Sequence, residues 1–242
     1  MRQGGHILAR VLHQVAAAVR PGISTLELND LAERGLRELG ASPSFLRYGE
    51  AEGNPFPASL CTSIDATVVH GIPTATVMLK PGQIIGLDLG CWYQGLCTDM
   101  AITVPVGAVS PLARKLIKIA QQSLEAGLKQ VCAGAKLGDI SHAIQTLVEA
   151  NGFSVVRQLT GHGVGKEVHE EPPVPNFGSP GTGLTLPVGA TLAIEPMVNQ
   201  GGAEVGFLPD GWTVVTADGS LSSHFEHTVV VTKQGCEVLT KV

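Results

Sequence analysis

Apolar positions Ile7, Leu8, Val11, Leu12, Val15 and Val19 recur at helical spacing and stop at Pro21-Gly22, which predicts a helix over 4–20. Ser24 and Glu27 form an S-x-x-E capping box, so a second helix is expected from there to about Gly40. Residues 41–60, rich in Pro, Gly and Ser, read as irregular loop. Ser110-Pro111 is an N-cap and first-turn pair for a third helix ending near Gly134, and Asp139–Ala150 predicts a fourth, closed by Asn151-Gly152. Apolar runs at 83–89, 100–106, 190–198 and 225–232 predict strands.

The two halves of this pattern echo each other. VRPGISTLELNDLAERGLRELG (19–40) aligns without gaps on VCAGAKLGDISHAIQTLVEANG (131–152), so that Gly22 meets Gly134 and Leu28 meets Ile140. LKPGQIIGLD (79–88) parallels LPVGATLAIE (186–195), and TDMAITV (98–104) parallels FEHTVVV (225–231). Three matches in the same order point to a duplicated α+β unit. They also make Asp88 the counterpart of Glu195, and Asp99 the counterpart of Glu226. If the halves pack about a pseudo-two-fold axis, four carboxylates converge near it.

Composition narrows the class. With 44% hydrophobic residues among 242, a packed core is expected rather than disorder. A net charge of −5 and the lack of any Lys/Arg run argue against a nucleic-acid partner. Five cysteines with no C-x-x-C pair suggest reduced thiols in the cytoplasm. The N-terminal stretch, broken by Arg and His, fits neither a secretory signal nor a membrane span.

Within LDLGCWYQGLCTDM, a hairpin centred between Tyr93 and Gln94 makes Asp88 and Asp99 directly opposed, with Cβ atoms roughly 4.5–5.5 Å apart. Unit charges about 4 Å apart repel by ~4 kcal/mol at an effective dielectric of 20, so four converging acids need cations. Two divalent ions would balance them. A lone strand acid is ordinarily solvated, but Glu195 lies in TLAIEPM, between apolar residues with a proline behind. The segment LTGHGVGKEVHEEP carries His162 and His169 among three glycines, which oppose a helix and suit a close backbone approach. His162 offers a neutral imidazole to a metal and His169 a group facing substrate, while His70 in VVHGIP is a third candidate near the cleft.

TGHGVGKEVHEEPPVPNFG, HGIP, LDLGCWYQGLCTDMAIT, AIEPM and LPDGWTVVTADGSLSSHFEHTVVVT closely resemble type I methionine aminopeptidases, from the first residue to about Thr232. The resemblance implies the "pita-bread" fold of creatinase-like metallopeptidases: α+β, pseudo-two-fold, with antiparallel sheets covered by helices. One catalytic domain over 1–242 is expected, in two halves of about 1–108 and 109–242. Asp88, Asp99, His162, Glu195 and Glu226 match the family's five metal ligands. They imply two divalent ions, with Mn, Fe, Co and Zn as candidates. His169 matches the histidine at the scissile carbonyl, His70 the one near the departing amide, and Glu195 also the residue that takes a proton from the attacking water. Cys61 and Trp212 match positions of the methionine pocket, with Tyr48 and Phe56 as further contributors and Val168 standing where the family often has a larger aromatic.

The implied activity is removal of the initiator methionine from nascent chains, favouring a small second residue. It would be carried out by a cytoplasmic monomer acting at the ribosome, with no membrane or nucleic-acid sequence partner. The loop 46–60 is longer than usual, and Ser63-Ile64-Asp65-Ala66 replaces the common S-I-N-E where some members have a monovalent-cation site. The chain starts without the family's short leader or a zinc-finger extension, so the short bacterial or organellar style is expected. Two other readings are an X-prolyl aminopeptidase or dipeptidase of the same fold and an inactive binding module. EPM at 195–197 and PNFG at 175–178 oppose the first, and the intact ligand set opposes the second.

Overall fold

Helix α1 (Arg2–Ala18) buries Leu8, Val11, Leu12 and Val15 on one stripe, as the spacing predicts, and Val19 closes it ahead of Pro21. A computed structural model describes all of residues 1–242. Helix α2 (Thr25–Glu38) begins with the expected reciprocal cap: Glu27 N–H donates to Ser24 Oγ at 3.2 Å, and Ser24 N–H donates to Glu27 Oε2 at 2.8 Å. Helix α3 (Pro111–Leu128) starts on the Ser110 cap but stops well before Gly134, and α4 (Leu137–Ala150) ends at Asn151-Gly152. Gly134 has another task. At φ 88° it turns the backbone so that its N–H reaches Leu186 O at 2.9 Å.

That hydrogen bond has a twin in the first half. Gly22, also left-handed at φ 82°, donates to Leu79 O at 2.8 Å. Leu79 and Leu186 are themselves counterparts in the repeat, so the echo in the sequence is an echo in backbone hydrogen bonding. The sheets repeat it too. In the first half, strand Ile84–Tyr93 lies between Leu60–Ile64 and Leu96–Pro105. In the second, Thr191–Ile194 lies between Thr160–Gly163 and His227–Thr232, extended outward by Glu170–Pro175 and Gly235–Val238. Helices α1 and α2 cover the first sheet through Leu8, Leu12, Leu28 and Leu36 against Leu87 and Leu89. Helices α3 and α4 cover the second through Leu116, Ile140 and Ile144 against Leu192 and Val229. Each such fully buried side chain contributes ~1.5–3 kcal/mol.

The two sheets join edge to edge along strand Leu96–Pro105. Glu226 N–H donates to Ala101 O at 2.8 Å. The Thr228 and Thr103 hydroxyls bridge the remaining gap to Asp99 and His224. This seam brings the acids of both halves together.

Three expectations need correction. The hairpin turns at Gln94-Gly95, both with positive φ, rather than between Tyr93 and Gln94. A two-residue turn with left-handed geometry at both positions places glycine second, and that shifts the register. Asp99 therefore faces Gly90, and Asp88 faces Ala101, so the two aspartates are diagonal neighbours on one face and not directly opposed. The apolar run 190–198 is two strands, Thr191–Ile194 and Met197–Asn199, in different sheets; Pro196 has no N–H to continue a ladder. The loop 41–60 contains one short strand, Ser42–Pro43, paired with Trp92 and Cys91. All five cysteines are free, and no helix is long and apolar enough to cross a membrane.

Candidate metal centre

Asp88 projects from the middle of its strand and Asp99 from the next, beside the seam. Glu195 follows the last residue of Thr191–Ile194, fixed where Pro196 ends the ladder, with its carbonyl accepting from Asn176 Nδ2 at 3.1 Å. Glu226 lies just before His227–Thr232, its backbone held by Ala101. His162 comes from Thr160–Gly163, where Gly161 and Gly163 have no room for a side chain. A Cβ on Gly161 would collide with Ala193 O, and one on Gly163 with Glu171 O. The glycines flanking His162 thus let its strand press against both neighbours.

All five side chains line one cavity of about 320 Å³. Ligand-type atoms of Asp99, His162 and Glu226 lie within 4.8 Å of one another. His162 Nδ1 is 2.8 Å from Gly163 O, which directs Nε2 into the cavity, 3.4 Å from Glu195 Oε1. Burial raises the pKa of all four acids, reinforced at Asp88, Asp99 and Glu226 by the other carboxylates; Asp99 and Glu195 each sit at about 7. Asp88 Oδ1 and Glu226 Oε1 are buried without any hydrogen-bond partner. Orphaned acceptor oxygens, four crowded acids and one oriented imidazole fit divalent cations better than any arrangement of protein donors.

The remaining predicted residues group around this cluster. His70 lines the cavity at φ 58°, its carbonyl accepting from Thr213 Oγ1 at 3.4 Å; burial, then His224, lowers its pKa to about 4, so it is neutral at pH 7. His169 stands at the mouth. Its ring meets that of His162 at 4.4 Å, and desolvation on the cavity side, then the charges of His162 and His70, lower its pKa. Tyr48, Phe56, Cys61 and Trp212 form an apolar wall, with Phe56 and Trp212 packed edge to face at 5.4 Å. Val168 does not line the cavity; it is buried in the same apolar cluster as Phe56 and Cys61.

Sequence reasoning missed His224. It is fully buried, and its Nε2 lies 3.4 Å from Glu195 Oε2 with no hydrogen-bond partner. Its position two residues before Glu226 was a usable signal, because alternate residues of an extended chain share a face. Phe45, Val69 and Leu159 also line the cavity, and no motif marked them, as does Met197, which AIEPM contains but to which no role was given.

Two like sheets joined edge to edge, with a caged cluster of acids at their seam, define a metallopeptidase of the pita-bread class. Metallopeptidase family M24 matches residues 1–233. A methionine aminopeptidase of Clostridium perfringens is 49% identical over 243 residues, covering 100% of this chain and 95% of that protein. The crystal structure of methionine aminopeptidase from Thermotoga maritima superposes with a TM-score of 0.96 at 41% identity, covering 100% of this chain and 95% of that one. An X-Pro aminopeptidase from the same organism shares the fold at a TM-score of 0.75 and 21% identity, and this chain covers 60% of it. The chain belongs to the methionine aminopeptidases of family M24.

Proposed function

We infer that the chain removes the N-terminal methionine of proteins and peptides by metal-dependent hydrolysis, favouring a small second residue. The observation that carries this is the meeting, in one cavity, of the caged acids with an apolar wall sized for a side chain. We assign Asp88, Asp99, His162, Glu195 and Glu226 as ligands of two divalent ions. Four carboxylates balance two such charges, and the mixed oxygen and imidazole set suits Mn, Fe, Co or Zn. When bound, these ions polarise the scissile carbonyl and lower the pKa of the attacking water.

The protein's own groups do the rest. Glu195 is held between His162 and His224, each 3.4 Å away, and takes the water's proton. His169 donates to the carbonyl oxygen as it gains charge. His70, neutral and buried beside the cluster, faces the amide nitrogen that leaves as an amine. Tyr48, Phe56, Cys61 and Trp212 enclose the methionine side chain, with Val168 buried in the apolar cluster of Phe56 and Cys61. We further propose one catalytic domain of two halves, about 1–108 and 109–242, working as a cytoplasmic monomer on chains emerging from the ribosome.

The test is hydrolysis of Met-Ala-Ser, Met-Lys-Ser and Ala-Pro-Ser after loading with each candidate metal, with metal content measured on the same samples. Cleavage of the first alone is expected. Preference for Ala-Pro-Ser would transfer the assignment to the prolyl enzymes, and no cleavage at all would leave a binding module.

A further inference from the structure

Tyr48 does more than wall the pocket. Its hydroxyl lies 2.6 Å from His169 Nδ1, and its ring packs against both His169 at 5.0 Å and Trp212 at 6.3 Å. Tyr48 comes from the long loop, and the next residue is pinned: Gly49, at φ 80°, leaves no space for a Cβ between Trp212 and Asn54 O. Backbone bonds between Tyr48 and Phe56, at 2.7 Å, and between Arg47 and Phe56, at 2.9 Å, close the base of the loop. The hydroxyl is thus presented to His169 by a fixed platform.

We propose that Tyr48 is a positioning residue, which sets the tautomer of His169 by donating its O–H to Nδ1. An imidazole whose Nδ1 accepts must carry its proton on Nε2, the nitrogen left free to face the cavity. Only that tautomer presents a donor to a carbonyl oxygen gaining charge; the other presents a lone pair and repels it. Burial, and then the charges of Glu52 and Glu167, raise the Tyr48 pKa above its ordinary value, so the phenol keeps its proton. Because the same ring also walls the pocket beside Trp212, the group that senses the methionine side chain is the one that orients the oxyanion donor. This deepens the function proposed above and rests on it only for its catalytic part.

The experiment has two arms. Nitrogen-15 NMR of the metal-free protein reads the tautomer directly, whatever the substrate. His169 is expected to show a pyridine-type Nδ1 and a pyrrole-type Nε2–H, and Tyr48→Phe to give a mixture. The reverse tautomer in the unmutated protein overturns the proposal. In the second arm, Tyr48→Phe keeps the ring, so KM for Met-Ala-Ser should stay constant while kcat falls roughly 3- to 10-fold, the value of one neutral hydrogen bond. In a His169→Ala background the same change should have no further effect. An unchanged kcat, or an equal loss without His169, overturns it. If the unmutated, metal-loaded protein cleaves no methionyl peptide, the functional reading fails while the NMR arm still decides the tautomer.

Discussion

Thr228 holds Asp99 by both of its backbone groups: its hydroxyl accepts from Asp99 N–H at 2.8 Å and donates to Asp99 C=O at 2.8 Å. One side chain of the second half thereby stands in for two ladder hydrogen bonds to the first, at a residue that also faces the metal cavity. Thr228→Val keeps the shape and leaves two buried backbone groups unpaired, at a cost of roughly 2–4 kcal/mol. Urea unfolding should show that loss, and calorimetry should show weaker metal binding. Thr228→Ser should restore most of both. Equal stability of the Val and Ser variants would mean that the seam does not depend on this hydroxyl.

The acid cluster predicts an unusual pH response for metal-free protein. Burial, and at Asp99 the neighbouring Glu195 charge, hold Asp99 and Glu195 at about 7, far above the unfolded range near ~4. Between those limits the native state keeps protons that the unfolded chain has released. This stabilising contribution is complete at acid pH and is lost as pH rises through about 7. One pKa unit is ~1.4 kcal/mol, and 1 kcal/mol moves Tm by about 2–4 °C in a chain of this size. Metal-free protein should therefore melt several degrees lower at pH 8 than at pH 5.5, and added Mn or Zn should reverse the drop at pH 8. Buried neutral His70 and His224 work in the opposite sense, because unfolded imidazoles take up protons below about 6.5. The drop should therefore shrink in Asp99→Asn, and a pH dependence unchanged in that variant would contradict the crowding of the acids.

Much of the candidate site is legible in the sequence. The capping box at Ser24, the paired glycines 22 and 134, and the alignment of Asp88 with Glu195 are local or periodic features, and the chain carries them in its residue order. Assigning individual roles to the ligands depended on resemblance as well. What stayed hidden depended on small geometric choices or on distant partners. The hairpin register turned on which residue takes the first left-handed position, and Gln94 gave no sign that it would. His224 went unmarked, because its contact is with Glu195, which is distant in sequence and reached only across the fold. Val168 matches a pocket position by resemblance, yet it is buried in the cluster of Phe56 and Cys61 without lining the cavity.

Asp99 and His169 should fail in different ways. Asp99→Asn removes a charge from the cluster and should lower the number or affinity of bound ions, read by calorimetry and metal analysis. His169→Ala leaves every proposed ligand in place. It should keep its metals while kcat falls about 100- to 1,000-fold, the usual cost of losing an oxyanion donor. Loss of an ion from the His169 variant would move that residue from the carbonyl to the metal.

Gly161 tests why glycines surround His162. A methyl group there meets Ala193 O, with Glu195 Cγ and Val174 Cβ both at 3.3 Å, so strand Thr160–Gly163 must withdraw from Thr191–Ile194. That movement takes His162 Nε2 away from Glu195, 3.4 Å distant in the native arrangement. Gly161→Ala should cost roughly 1–3 kcal/mol as an overpacked site and should weaken metal binding as well. Gly206→Ala serves as the control, since a Cβ there has nothing within 4 Å. Zinc titration of both variants separates the two effects. A Gly161 variant that is less stable yet binds zinc as tightly as the control would show that the strand yields without carrying His162, and the close packing would then serve the fold rather than the metal site.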